Sequence, residues 1–236
     1  MLVFAHRGDS GSEPENTLRA IQAALAANVD GIEIDVHEAD NQLFVIHDRW
    51  LQRTTSGSGL VSQQSFEYLR SLDAGLGEKI PTLDEVLLLT ANKCLLNIEL
   101  KGLVNSSLLF ACLDKAISAS TISIDNILLS SFNHHCLVNI YQQRPEFSIG
   151  ALTASTPLAY AKFAEQLNAN SVHIALDFVC QKFVDDAHER GLKVLVYTVD
   201  EFDDIEWMKV LGVDGIFTNY PARAKRFLEK ISGRKL

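Results

Sequence analysis

The sequence predicts an α/β chain folded as a (β/α)8 TIM barrel, with a β-hairpin and a small insertion after the second strand. Three observations carry this. Short apolar runs rich in β-branched residues alternate with longer stretches of helical periodicity, and the alternation runs eight times. Eight such pairs in 236 residues is about the length this fold takes. No linker divides the chain, so residues 1–236 are expected to form one domain. A doubly wound open sheet is the competing architecture.

Strands are expected near 2–6, 31–36, 95–100, 127–131, 147–152, 171–174, 193–197 and 214–217. Helices are expected near 16–27, 83–91, 104–119, 133–143, 157–167, 180–190, 201–211 and 221–231. Asn16 is placed to cap the first helix. Pro81-Thr82 before Leu83-Asp84-Glu85 reads as a capped start with acidic residues in the first turn, and Gly191 reads as a C′ residue. One segment breaks the alternation. Asp40-Asn41 is a turn signal between the second strand and Leu43-Phe44-Val45-Ile46, too close for a parallel crossover, so the chain should fold back as a hairpin. Residues 48–80 then form an excursion on the C-terminal face, where barrels build their sites.

Composition narrows the function. A formal net charge of −9 argues against nucleic acid or an anionic membrane as the main partner. No apolar stretch is long enough for stable membrane insertion, and Leu2 to Ala5 already reads as a strand, leaving no room for a signal peptide. Cys94, Cys112, Cys136 and Cys180 are scattered and read as reduced core thiols. A soluble cytoplasmic protein is expected; its oligomeric state is open.

The chemistry sits at strand ends. Glu33 and Asp35 share one face of the second strand, opposite Ile32, Ile34 and Val36, and Glu99 with Lys101 is disposed likewise against Ile98 and Leu100. Carboxylates facing a core are costly unless paired or bound to a cation, so three converging ones point to a metal site. His6-Arg7-Gly8, His47-Asp48, Ser131-Phe132 and Tyr197-Thr198 end other strands and add polar and aromatic side chains at the same face.

The ordered set His6-Arg7-Gly8, Pro14-Glu15-Asn16-Thr17, Glu33-x-Asp35, His47-Asp48, Arg53-Thr54-Thr55-Ser56-Gly57, Leu72-Asp73-Ala74-Gly75, Ile80-Pro81-Thr82-Leu83, Glu99-x-Lys101, Ser131-Phe132 and Gly212-Val213-Asp214-Gly215-Ile216 resembles the glycerophosphodiester phosphodiesterases. The resemblance implies a (β/α)8 barrel, a divalent cation on Glu33, Asp35 and Glu99, and a histidine pair for acid–base work. It also implies hydrolysis of small-molecule glycerophosphodiesters to glycerol 3-phosphate and an alcohol. Asp9 stands where a small residue is common, Ser12-Glu13 precede the Pro14 motif, Tyr197 stands for a frequent tryptophan and Asn219 for a frequent aspartate. The excursion is short, which suits a water-soluble headgroup.

The residues agree with this chemistry on their own terms. A phosphodiester is anionic, so its cleavage needs charge neutralisation, an activated nucleophile and a protonated leaving group. Three carboxylates against Arg7 and Lys101 leave one negative charge, and one divalent cation turns that into one positive charge, matching one phosphodiester. All-oxygen ligation suits Mg2+ or Ca2+. His6 and His47 are the acid–base candidates; the nucleophile is water or the glycerol 2-hydroxyl. Arg7 can fork onto phosphate oxygens, Lys101 supplies a point charge, and Phe132 and Tyr197 would pack against glycerol carbons.

Plainer readings compete at several positions. His37, His134, His135, His173 and His188 are read as structural, as are Asn16 and Glu15, the latter supporting either the helix start or Arg7. Glu99–Lys101 has a structural ion pair as its rival reading, and Phe132 and Tyr197 have a core role. Asp48 orients either a histidine or the excursion, and Asp200 to Glu206 read as a solvated helix face. The alternative functions are a phospholipase-D-like or phosphoinositide-cleaving phosphodiesterase, and a catalytically silent barrel that binds a phosphometabolite.

Overall fold

Eight apolar, β-branched-rich runs close into a cylinder because each is apolar on the side that meets the helices. In the computed structural model, which describes residues 1–102 and 105–232, these strands are β1 (Leu2–His6), β2 (Gly31–Ala39), β4 (Leu95–Leu100), β5 (Ile127–Ser131), β6 (Ser148–Thr153), β7 (Ser171–Ala175), β8 (Lys193–Tyr197) and β9 (Gly215–Thr218). All pair in parallel in that order, and β1 pairs with both β9 and β2, which closes the barrel. The open-sheet alternative is thereby excluded. The ninth strand, β3 (Gln42–Val45), runs antiparallel to the far half of β2, as the Asp40-Asn41 turn requires. Both turn residues have positive φ, 47° and 56°, the pattern of a two-residue hairpin loop.

The helices are α1 (Leu18–Ala26), α2 (Phe66–Ser71), α3 (Leu83–Thr90), α4 (Ser106–Ser118), α5 (His134–Gln143), α6 (Lys162–Gln166), α7 (Gln181–Glu189), α8 (Phe202–Leu211) and α9 (Pro221–Ser232). Residue 104, where the fourth helix was expected to begin, lies outside the described residues. Thr17, not Asn16, caps α1, its hydroxyl accepting from Ala20 N at 3.2 Å. Asn16 instead sits at φ 60°, turned away from the helix. Thr82 and Glu85 close a capping box on α3, and Gly191 takes the left-handed conformation after α7 at φ 75°. The helix expected over 157–167 shrinks to α6 because Pro157 to Tyr160 form a turn, Tyr160 N bonding Pro157 O at 2.9 Å.

Alternation along each strand divides the core in two. Val3, Ile32, Ile34, Ile98, Leu129, Val172 and Val196 face outward into the layer between barrel and helices. Phe4, Leu195 and Phe217 face inward and fill the base of the barrel. Above them the inward positions turn polar: Glu33, Asp35, Asn97, Glu99 and His173 are all buried. Gly150 leaves room for His173, since a Cβ there would lie 2.5 Å from the imidazole. The excursion builds a small core of its own, with Leu51, Val61, Leu69, Leu72 and Ile80 packed on Phe44 of β3. No helix among the described residues is long and apolar enough to cross a membrane.

His173 is completely buried, with Ser171 Oγ 2.9 Å from Nε2 and no partner on Nδ1. Burial pushes its pKa down to about 3, so the folded ring is neutral where an unfolded one titrates near 6.5. Its contribution is therefore complete above pH 6.5 and is lost as pH falls below that value. Relative to a His173→Asn variant, wild-type unfolding free energy should drop by about 2 kcal/mol between pH 7.5 and 5.0, read by urea denaturation. A difference that stays constant over that range would mean the ring is protonated in the fold.

Candidate active site

Strand register does the first assembly. Asp35 lies opposite Glu99 and Glu33 opposite Asn97 across β2 and β4, while His6 of β1 lies opposite Glu33. Inward-pointing side chains on adjacent strands thus converge, and Glu33, Asp35 and Glu99 bring one oxygen each within 4.8 Å of one another. Burial and the two neighbouring carboxylates raise the Glu33 pKa well above its ordinary value. Glu99 is raised as well, by burial and then by Asp35. Burial pushes Asp35 the same way, but Lys101 and Arg7 outweigh it and hold its pKa low. Lys101 Nζ lies 3.0 Å from Asp35 Oδ1 and 2.5 Å from Glu99 Oε1. Glu33 Oε1 is buried without a hydrogen-bond partner. Three buried carboxylates with an orphaned oxygen and one close ammonium are what a hard divalent cation would complete.

The loop after β1 wraps this cluster. Arg7 has φ 58°, Gly8 has φ 79°, and a Cβ on Gly8 would lie 2.6 Å from the backbone of Ala20, so only glycine lets the loop pass over α1. The turn aims Arg7 N at Glu33 Oε2, 2.9 Å, and brings its Nε to 3.3 Å from Asp35 Oδ2. Asn16, freed from capping, clamps Asp35 twice: Nδ2 donates to Oδ2 at 2.8 Å, and Asp35 N donates to Asn16 Oδ1 at 3.3 Å. Sequence reasoning assigned Asn16 to the helix. Its signal was the adjacent Thr17, the equally good cap that makes the asparagine redundant there.

Two histidines flank the carboxylates. His6 Nδ1 bonds Asn219 Oδ1 at 2.8 Å, and burial, with Arg7 beside it, pushes its pKa down to about 4. His47, at the end of the hairpin, donates from Nδ1 to Asp48 Oδ1 at 2.7 Å. His37 Nε2 donates to the His47 carbonyl at 3.0 Å and steadies that end. Asp48 serves both expected roles, because Arg53 of the excursion also donates to it, Nε to Oδ2 at 2.6 Å. Arg53 further grips Glu15 at 2.7 Å, and Glu15 accepts from Arg7 Nη1 at 2.9 Å. A chain of alternating charge therefore runs Arg7–Glu15–Arg53–Asp48–His47. Of the two roles open to Glu15, the helix start or Arg7, the contact formed is with Arg7.

Phe132 and Tyr197 stand on the other side, in edge-to-face contact with ring centroids 6.0 Å apart. Phe132 is half exposed, with Lys101 Nζ 6.0 Å from its ring, and Tyr197 Oη donates to Thr153 O at 2.8 Å. A cavity of about 330 Å3 opens between Glu99, Lys101 and Phe132, and one of about 550 Å3 opens between Glu15, Arg53 and Thr54. Asp200 is not part of a solvated face. It precedes α8, and its carboxylate accepts from Thr218 and Asn219, since the turn after β9 folds back onto it.

The sequence model of the glycerophosphoryl diester phosphodiesterase family matches residues 6–223. The chain belongs to that family. It is 38% identical over 230 residues to the glycerophosphodiester phosphodiesterase of Caldanaerobacter subterraneus subsp. tengcongensis, covering 93% of this chain and 94% of that one. It is 34% identical to the glycerophosphodiester phosphodiesterase of Bacillus altitudinis, covering 97% and 98%. Among solved structures it superposes on an Oleispira antarctica phosphodiesterase in complex with the product sn-glycerol-3-phosphate, with a TM-score of 0.87 at 31% identity, covering 97% of each chain. Within the charge chain from Arg7 to His47, Arg53 is the most exposed member, its side chain being 47% exposed. Arg53→Met should cost stability only about 1 kcal/mol or less. It should lower kcat on a glycerophosphodiester about tenfold, because Asp48 and Glu15 lose their shared cation. Thermal unfolding beside steady-state kinetics checks this, and an unchanged kcat would reduce Arg53 to a surface ion pair.

Proposed function

We propose that this protein hydrolyses glycerophosphodiesters to glycerol 3-phosphate and an alcohol, using one divalent cation, Mg2+ or Ca2+, held by Glu33, Asp35 and Glu99. The observation that carries the reading is the buried triad of carboxylates with a histidine on either side, inside a chain of this family. The cation, when bound, supplies the positive charge that a phosphodiester needs to approach three carboxylates and to be attacked. Arg7 and Lys101 add the fixed positive charge beside it; Arg7 also anchors Glu33 through its backbone N–H, so the loop holds the ligand geometry. His6 and His47 each engage a partner through Nδ1, which leaves Nε2 of each as the atom for proton exchange with the substrate. Phe132 and Tyr197 provide an apolar wall suited to the glycerol carbons, beside the cavity at Glu99 and Lys101.

Chelation should abolish release of glycerol 3-phosphate from a panel of glycerophosphodiesters, and Mg2+ or Ca2+ should restore it, in an assay coupled to glycerol-3-phosphate oxidation. Full turnover in metal-stripped protein with excess chelator would remove the cation from the reading. Turnover of no panel member would leave a barrel that binds a phosphometabolite without cleaving it.

His6→Ala and His47→Ala should each lower kcat by roughly 100- to 10,000-fold while the fold persists. Either variant turning over at the wild-type rate, with an unchanged melting temperature, would return that histidine to a structural role.

A further inference from the structure

Behind His6 lies a hydrogen-bond relay that the scheme above leaves unused. His6 Nδ1 is 2.8 Å from Asn219 Oδ1. Asn219 is gripped from its other side by Asp200: its Nδ2 donates to Asp200 Oδ2 at 2.7 Å and its backbone N–H to Asp200 Oδ1 at 2.8 Å. Thr218 Oγ1 donates to the same carboxylate at 2.9 Å, and Arg223 donates to the Asp200 carbonyl.

Donor and acceptor rules leave one arrangement. An ionised carboxylate only accepts, so the Asn219 NH2 must face Asp200 and its carbonyl oxygen must face His6. That oxygen also only accepts, so His6 Nδ1 must carry the hydrogen. Ser10 Oγ, 2.9 Å from Asn219 Oδ1 and 2.7 Å from His6 O, meets an acceptor in either direction and changes nothing. A neutral imidazole protonated at Nδ1 has a bare lone pair at Nε2. His47 has a different backing: its Nδ1 faces the Asp48 carboxylate, which supports a positive ring where an amide does not.

We infer that Asp200 and Asn219 are a positioning pair that holds His6 in the Nδ1–H tautomer, so that His6 is the residue that accepts the nucleophile's proton and His47 the one that donates. This rests on the phosphodiesterase reading. As the nucleophile's oxygen bonds to phosphorus, its proton passes to His6 Nε2. As the P–O bond to the alcohol breaks, the departing oxygen keeps the electron pair and takes a proton from His47 Nε2. The amide at Asn219 holds the His6 proton at Nδ1 in place throughout, having no site to receive it.

The pair can be inverted by mutation. Asp200→Asn offers a donor to Asn219, frees that amide to flip, and should lower kcat about tenfold or more with KM within about twofold. The double variant Asp200→Asn/Asn219→Asp exchanges carboxylate and amide, keeps an acceptor facing His6, and should recover kcat to within about threefold of wild type. The direct readout is 15N NMR of histidine-labelled, Mg2+-supplemented protein, with His6 assigned by its absence in His6→Gln. Wild type and the double variant should show a protonated Nδ1 and an unprotonated Nε2, and Asp200→Asn a mixture. A protonated Nε2 in neutral wild-type His6, or Asp200→Asn with wild-type kcat and an unmixed spectrum, would overturn the inference. Failure of the wild type to cleave any glycerophosphodiester would instead overturn the phosphodiesterase reading, while the spectrum still reports the tautomer.

Discussion

The structure is organised around the repulsion of three buried carboxylates. Glu33, Asp35 and Glu99 stand in register on neighbouring strands, where each raises the cost of ionising the others. Everything near them answers that cost. Lys101 and Arg7 set positive charge against Asp35, a backbone N–H of the β1 loop meets Glu33, and Asn16 bonds one carboxylate oxygen and the backbone N–H of Asp35. These contacts fix the carboxylates without satisfying all of them, since Glu33 keeps an oxygen with no hydrogen-bond partner. A purely structural cluster would be expected to close such a gap, because leaving a buried polar atom unpaired costs about 1–3 kcal/mol. The unpaired oxygen and the raised Glu33 pKa are the reason the site suits a cation, which would complete the ligand set and favour the ionised form of Glu33.

Much of this was legible in the chain because a strand's period of two is unambiguous. Charge on alternate residues of Ile32 to Val36 and Ile98 to Lys101 can be satisfied in a parallel barrel only by facing inward, and the strands observed there follow. The hairpin was legible for a similar reason, two turn residues between two apolar runs. Asn16 was not legible, because Asn and Thr are both good caps and only the positive φ at Asn16 decides between them. Asp200 was hidden in an acidic run whose other members behave as surface residues; its partner lies at 218–219 on a turn whose direction no local pattern reveals. His173 looked like any strand histidine, and its place beneath the carboxylates depends on a glycine one strand away.

The excursion shows how a small appendage joins a catalytic surface. It packs by its own apolar residues against β3, so its position is set independently of the charges at its rim. Arg53 then reaches the site from that platform and ties Glu15 of the β1 loop to Asp48 of the hairpin. Loop and hairpin come from opposite flanks of β2 in sequence, yet a single guanidinium makes them one unit. A shift in the excursion is therefore felt at Arg7 and His47 together.

The ring-filled base of the barrel has a consequence for traffic. Phe4, Leu195 and Phe217 are nearly inaccessible to solvent and stopper the cylinder from below. Among the described residues the carboxylates face the mouth at the opposite end, which the two larger cavities border. A cation held by Glu33, Asp35 and Glu99 would share that mouth with any organic molecule entering the barrel. A filled base would thus couple the exchange of cation and organic molecule, a constraint that none of the individual side chains encodes.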